Sequence, residues 1–372
     1  MVIGIIPVEM RGLRSHWTAQ LPNQELVFGQ TFSDHMLQVE WVEGYGWSAP
    51  EIKPYGPLQL APSAVVFHYA FECFEGMKAY KDKQGCIRLF RPDMNMKRMN
   101  NSAPRVSLPT FDGAQYIECI KELLRVDQRW VPDEYGYSLY IRPTLIGTEE
   151  CLGVRASNRA LLYTICSPVG PYYATGFKAI SLYANVREVR AWPGGVGDAK
   201  LGANYAPTIK PAREAAKLGC QQVLWLIGEK HELMEVGTMN LFVFWINKAG
   251  RRELITPALD GTILPGVTRD SILALTRSWR DELDIDVSEG KIEMAQIASA
   301  ANEGRLLEIF GAGTAAVVSP VKRILYLGKD INVPLDPSNP NSQAGPLTKR
   351  LNDTIMGIQY GDIPHEWSVV IN

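Results

Sequence analysis

The chain has 372 residues, of which 46% are hydrophobic and 21% charged, with a formal net charge of −2. That length accommodates two domains with sizeable cores, and the near-neutral balance leaves no electrostatic footprint for nucleic acid or an anionic membrane surface. No apolar run reaches the length of a membrane span, and the short apolar start from Met1 to Pro7 lacks the basic region and cleavage site of a secretory signal.

In chain order, residues 64–69 and 86–90 read as strands, being short and rich in β-branched and aromatic side chains. Between Gly113 and Arg129 the apolar residues Tyr116, Ile117, Ile120, Leu123 and Leu124 recur at helical spacing, which predicts an amphipathic helix. Residues 138–142 alternate as a strand does. Residues 160–166 form a near-continuous apolar run, as in a strand covered on both faces. Pro168, Gly170, Pro171 and Gly176 crowd one short span, which places a domain boundary there. The division read from this is an N-terminal domain over 1–170, a linker over 171–180 and a C-terminal domain over 181–372.

The second half predicts strands near 178–186, 222–227, 241–246 and 253–256. A helix opens at Pro265, Gly266, Val267 and Thr268 and carries Ile272, Leu273, Leu275 and Trp279 on one face. A strand over 306–310 leads into the turn Gly311, Ala312, Gly313, Thr314, Ala315. The Pro- and Asn-rich stretch 332–346 reads as a surface loop.

The six cysteines, Cys73, Cys86, Cys119, Cys151, Cys166 and Cys220, form no C-x-x-C pair, and none sits near a histidine at zinc-ligand spacing. The sequence therefore points to no metal site, and to reduced thiols in an intracellular compartment, cytoplasm or mitochondrial matrix.

The chemistry centres on Lys200, framed by Gly194, Gly195, Gly197 and Gly202. Glycine permits close backbone approach, and a desolvated lysine amine is a nucleophile toward carbonyls. The same residues also fit a mobile glycine-rich surface loop. Downstream, Glu235 precedes a Gly237-Thr238 turn in an apolar setting, and as an isolated carboxylate it also fits a solvated loop position. The helix start at Val267 and Thr268 is a ready anion site, or an ordinary cap by Thr268. A pyridoxal phosphate enzyme needs an amine, a carboxylate against the ring nitrogen and a phosphate cradle, and these segments offer them in order. The Gly311–Ala316 stretch loosely imitates a dinucleotide fingerprint, with Asp330 about twenty residues on, but its third glycine is replaced by Ala316. Lys200 is no P-loop lysine, because Leu201 follows it.

Together, residues 195–205, 235–240, 263–269 and 310–315 closely resemble the class IV aminotransferases, and most closely the eukaryotic branched-chain amino-acid aminotransferases. The likeness extends over nearly the whole chain, through Phe28-Gly29, Phe32–Met36, Phe67–Tyr69, Phe74–Lys78 and Leu139–Pro143. It implies a two-domain α/β (α+β) fold of the D-amino-acid aminotransferase type, with pyridoxal 5′-phosphate at the domain interface. It also implies a homodimer. The implied reaction is reversible ping-pong amino transfer from L-leucine, L-isoleucine or L-valine to 2-oxoglutarate. The pattern from Glu235 to Asn240 together with Arg142 favours this branch over D-amino-acid aminotransferases and aminodeoxychorismate lyases.

The resemblance further implies roles. Lys200 would hold the cofactor covalently and move the proton between substrate Cα and cofactor. Glu235 would meet the ring nitrogen and Tyr205 the ring oxygen. Arg98, Val267, Thr268 and Thr314 would hold the phosphate. Phe28, Tyr69, Phe74, Val154 and Tyr172 would wall the branched side chain, although one or two of these fit plain core equally well. Arg142, with Tyr140, would meet the glutamate side-chain carboxylate, and Thr238, Thr314 and Ala315 the α-carboxylate. Mammalian members carry a C-x-x-C redox pair after the Gly-x-Gly-Thr-Ala turn. Ala316 and Ser319 stand at those positions here, so no thiol switch is expected.

Overall fold

A computed structural model describes residues 8–10, 19–171 and 177–371. The chain divides into two compact units, one of residues 1–172, 199–203 and 357–372, the other of 173–198 and 204–356. The sequence reading placed all of 181–372 in the second domain. Residues 199–203, which include Lys200, and 357–372 pack instead with the first unit. Much of the 171–180 linker lies outside the described residues.

The first unit is built on a mixed sheet. Its strands are β1 (Glu9–Met10), β2 (His35–Val42), β3 (Gly46–Trp47), β4 (Glu51–Pro54), β5 (Glu72–Phe74), β6 (Met77–Lys81), β7 (Ile87–Phe90), β8 (Ser138–Gly147), β9 (Arg159–Val169) and the C-terminal strand Ser368–Val370. They run β1-β4-β2-β9-β8-β6-β7 to the C-terminal strand, with β3 on β2 and β5 on β8. The central pair β8 and β9 is almost wholly buried, which explains its continuous apolar reading.

The stretch 64–69, read as a strand, is the one-turn helix α1 (Val65–Tyr69). Its β-branched run misled, because only Ala64, at its start, makes a β-bridge, to Glu150. Val65 is buried against Gly147 of β8, where the missing side chain gives it room. His68 Nε2 lies 2.9 Å from the Pro62 carbonyl, which ties the turn back on itself.

The helix α2 (Pro92–Ser102) carries Arg98. The predicted amphipathic helix is α3 (Gly113–Val126), with Tyr116, Cys119, Ile120, Leu123 and Leu124 buried. Asp112 caps it by accepting the Gln115 N–H at 3.0 Å. The helix stops at Asp127, whose carboxylate turns inward to the His35 backbone N–H at 3.0 Å and to His35 Nδ1 at 2.6 Å.

The second unit contains β10 (Ile180–Asn185), β11 (Gln222–Ile227), β12 (Glu232–Val236), β13 (Met239–Ile246), β14 (Arg252–Thr256), β15 (Asp286–Glu289), β16 (Leu306–Gly313), β17 (Val317–Tyr326) and β18 (Lys329–Asn332). The path β12-β11-β10-β17-β16-β13 closes on itself, because β13 also pairs with β12. Leu182, Leu224, Leu241, Val243, Ile309 and Val321 lie in its main buried cluster. Glu235 sits at the closing seam, opposite Asn240.

Helix α4 (Ile209–Lys217) packs on β11, and α5 (Val267–Ser278) starts where the sequence placed it. The strand read over 306–310 runs on to Gly313 and then turns straight into β17, antiparallel to it. No helix follows the glycines, so this is a hairpin and not a dinucleotide fingerprint. No helix among the described residues is long and apolar enough to cross a membrane.

Candidate active site

Within the first unit, residues 199–203 bring Lys200 against β5 and α2. The Phe74 N–H donates to the Lys200 carbonyl at 3.1 Å, and the Lys200 N–H donates to Ser102 Oγ at 2.9 Å. Leu201 bridges to Cys73. The backbone on both sides of the amine is thus held by strand-like bonds, unlike that of a mobile loop. Lys200 itself is half-buried, with its Nζ 4.8 Å from the centre of the Phe74 ring.

The same sheet face presents Arg142. Its guanidinium lies 4.5 Å from the centre of the Phe74 ring, and Nη2 donates to the Tyr140 hydroxyl at 2.9 Å. Phe28 meets Tyr140 edge-on, with ring centres 5.0 Å apart. Gly76 is required here, because a Cβ would collide with the Tyr140 hydroxyl. Arg142 Nε and the Ser167 hydroxyl are buried without a hydrogen-bond partner, and Ser167 faces Tyr140 across β8 and β9. Unmet donors beside an aromatic wall are what an anionic ligand group satisfies.

Arg98 is almost fully buried and paired. Its Nε and Nη2 donate to Glu75 at 2.7 and 2.8 Å, while Asn95 Nδ2 donates to the same carboxylate at 2.8 Å. Burial opposes the Glu75 charge, yet Arg98, Lys200 and Asn95 outweigh it and hold the carboxyl below its usual range. Sequence reasoning chose Arg98 and missed Glu75, although Glu75 lies inside the Phe74–Lys78 motif.

Tyr69 and Val154 do not join this group. They are 40% and 76% exposed, so within the first unit they enclose nothing. The Tyr69 hydroxyl donates to the Leu152 carbonyl. Tyr172 lies outside the described residues.

In the second unit, Glu235 is buried and not a solvated loop residue. Its Oε1 accepts from Asn240 Nδ2 and from the Leu264 N–H, both at 3.1 Å, and its Oε2 pairs with Arg190 Nε. Arg190 also donates to the carbonyls of Thr262 at 3.0 Å and Gly197 at 3.1 Å. No sequence signal singled out Arg190, which lies 45 positions before its partner Glu235 in the chain.

Asn240 links this carboxylate to α5. Its Nδ2 donates to the Leu264 carbonyl at 2.8 Å, and its Oδ1 lies where a Cβ on Gly266 would fall. Gly266 then opens α5 with no side-chain cap, and Val267 and Thr268 form its buried first turn. Such a start presents backbone N–H groups to an anion.

Thr314 and Ala315 are half-buried in the β16–β17 turn. Thr238 is exposed in the β12–β13 turn, and Tyr205 is half-buried just before α4. The donor set as a whole fits pyridoxal phosphate. The first unit carries a lysine amine, and the second a buried carboxylate and an uncapped helix start, which are the kinds of group that this cofactor requires.

Residues 72–324 match the family described as amino-transferase class IV. The branched-chain-amino-acid aminotransferase of Monosiga brevicollis is 56% identical over 93% of this chain and 87% of its own length. The cytosolic branched-chain-amino-acid aminotransferase of Saccharomyces cerevisiae is 55% identical over 96% of this chain and 94% of its own. Among solved structures, a branched-chain amino acid aminotransferase of Escherichia coli superposes with a TM-score of 0.72 at 24% identity, over 91% of this chain and all of that one. One from Thermobaculum terrenum, solved in its PLP form, gives 0.67 at 21% identity, over 92% of this chain and all of its own. At these identities the two structures speak for the fold, and the curated relatives for the family. This chain belongs to the class IV aminotransferases, with the branched-chain-amino-acid aminotransferases of that family.

Proposed function

We propose that the protein is a pyridoxal-phosphate-dependent branched-chain-amino-acid aminotransferase. It moves the amino group of L-leucine, L-isoleucine or L-valine reversibly to 2-oxoglutarate, giving the branched-chain 2-oxo acid and L-glutamate. The observation that carries this reading is the meeting of an anchored Lys200 amine and the Arg142 guanidinium at the Phe74 ring.

When bound, pyridoxal phosphate supplies the electron sink that acidifies the substrate Cα–H. Lys200 Nζ takes that proton and returns it, as general base and then general acid. Its backbone bonds to Phe74 and Ser102 fix the main chain from which the amine extends. Glu235, fixed by Arg190, Asn240 and Leu264, holds positive charge at the ring nitrogen. Tyr205 donates to the ring oxygen. Val267, Thr268, Thr314 and Arg98 bind the phosphate.

Phe28, Phe74 and Tyr140 receive the branched side chain, and Arg142 receives the side-chain carboxylate of glutamate. Thr238, Thr314 and Ala315 bind the α-carboxylate. Tyr69, Val154 and Tyr172 belong to the same pocket in this reading. The exposed Phe67, Tyr69, Leu152 and Val154 support a homodimer, in which a second copy covers them. Relatives named cytosolic and mitochondrial support either of those compartments.

The deciding experiment is the visible absorption of the purified protein with and without L-leucine, beside Lys200→Ala. A yellow band that bleaches with L-leucine and is lost in the variant supports the whole reading. A band answering only to D-alanine moves the protein to another branch. No band after adding pyridoxal phosphate removes it.

A further inference from the structure

Glu72 opens β5 two residues before Phe74, so both side chains leave the same sheet face. Across β8, Glu72 stands opposite Ile146 and Phe74 opposite Thr144, which places Arg142 on that face as well. The Glu72 carboxylate accepts the Gly202 backbone N–H. A Cβ on Gly202 would collide with Glu72 Oε2, so the glycine after Lys200-Leu201 makes room for this carboxylate.

Among the described residues, few charged or titratable groups act on Glu72. Arg142 of β8 and Lys200 of the 199–203 segment are the cations that act on it. Tyr163 of β9 feels its charge and itself bonds to Thr144, with Tyr55 beyond. Cys73 and Glu75 are its neighbours along the chain, and Cys73 feels both carboxylates. Burial raises the Glu72 carboxyl above its usual range, and the Gly202 N–H, Arg142 and Lys200 pull it part of the way back.

Arg142 must serve two unlike substrates. In the structure its cation lies on the Phe74 and Tyr140 rings with a buried Nε lacking a hydrogen-bond partner, and an apolar side chain brings it no anion. An uncompensated charge there is costly, and Glu72 is a carboxylate on the same sheet face whose charge Arg142 favours. With a dicarboxylate bound, a second anion approaches the same cation. Like charges at one site oppose joint ionisation, and the pair then titrates as a unit.

We propose that Glu72 is a positioning residue for the substrate side chain: it balances Arg142 while a branched-chain substrate is bound, and takes up a proton when a side-chain carboxylate arrives. This rests on the substrate reading given above. Binding of a dicarboxylate is therefore linked to proton uptake from solvent, and binding of a branched-chain analogue is not.

The test uses the holoenzyme and two unreactive ligands, glutarate and 4-methylvalerate. Calorimetry in two buffers of unlike ionisation enthalpy at neutral pH counts protons for each. Both ligands meet the same Lys200, so their difference isolates the side-chain carboxylate. Glutarate binding should take up a measurable fraction of a proton more than 4-methylvalerate binding. Glu72→Gln should abolish the difference and raise the glutarate to 4-methylvalerate affinity ratio about tenfold, one pK unit of coupling. In the unaltered enzyme, glutarate affinity should fall faster with rising pH than 4-methylvalerate affinity, which needs no variant. Equal uptake for both ligands, or an uptake difference that survives Glu72→Gln, overturns the role of Glu72 and leaves the substrate reading intact. Failure of both ligands to bind overturns the substrate reading, and this role with it.

Discussion

Arg190 and Glu235 form an ion pair in the second unit with side chains only 6% and 3% exposed. The pair lies at the seam where β12 meets β13, and Arg190 simultaneously braces the carbonyls of Gly197 and Thr262. One guanidinium thus orients the carboxylate and the two loops nearest to it.

Removing that guanidinium leaves a buried carboxylate without its cation. Arg190→Ala should cost about 3–5 kcal/mol of stability. It should also weaken cofactor retention, because Glu235 loses its fixed orientation. Thermal unfolding and the visible band of the dialysed protein measure the two effects. A variant as stable as the parent, with its band intact, would contradict the bracing role.

Gly266 allows Asn240 to reach both Glu235 and Leu264. A methyl group at Gly266→Ala falls on Asn240 Oδ1 and forces that side chain out. Overpacking of this kind costs about 1–3 kcal/mol, and here it lands on the start of α5. We expect weaker binding of pyridoxal phosphate, read by titration of the apoprotein, with a smaller change in melting temperature than in Arg190→Ala.

Arg142→Ala should separate the two half-reactions. A hydrogen bond to a charged group contributes about 1.5–3 kcal/mol, so kcat/KM for glutamate should fall by roughly tenfold to a hundredfold more than for leucine. Equal losses for the two substrates in stopped-flow half-reactions would remove the assignment.

Glu75 and Arg98 make an acid-sensitive pair. The folded-state carboxyl of Glu75 is depressed, because Arg98, Lys200 and Asn95 overcome its burial. Its contribution to stability is complete above the unfolded value of about 4.3 and is lost as the pH falls through the lower folded value. Melting temperatures followed downward from neutral pH should therefore fall less steeply for Glu75→Gln than for the parent, from a lower starting point. Identical slopes would show that this pair plays no part in acid unfolding.

Much of the architecture was legible from local pattern. The spacing of Tyr116, Ile120, Leu123 and Leu124 encodes α3, and Gly266 ahead of Val267 and Thr268 marks the start of α5. The glycines around Lys200, with the motifs at Glu235 and Thr314, carried the family resemblance. These features are short-range, because helix period, turn chemistry and backbone freedom are properties of neighbouring residues. The same locality explains the failure at 64–69. Its β-branched run has strand character, but a strand needs a partner, and burial of Val65 against Gly147 made a helical turn instead. Glu72, Glu75 and Arg190 drew no notice, since a charged residue in a sequence reads as solvent-exposed until its partner is known. Only the tertiary structure brought Gly202 to Glu72, Arg98 to Glu75 and Arg190 to Glu235. It also returned residues 199–203 to the first unit, apart from the segments on either side. Composition and motif determined which groups the protein owns. Which of those charges are buried and paired was decided by chain closure over long sequence separations, where desolvation makes an unpaired partner too costly to keep.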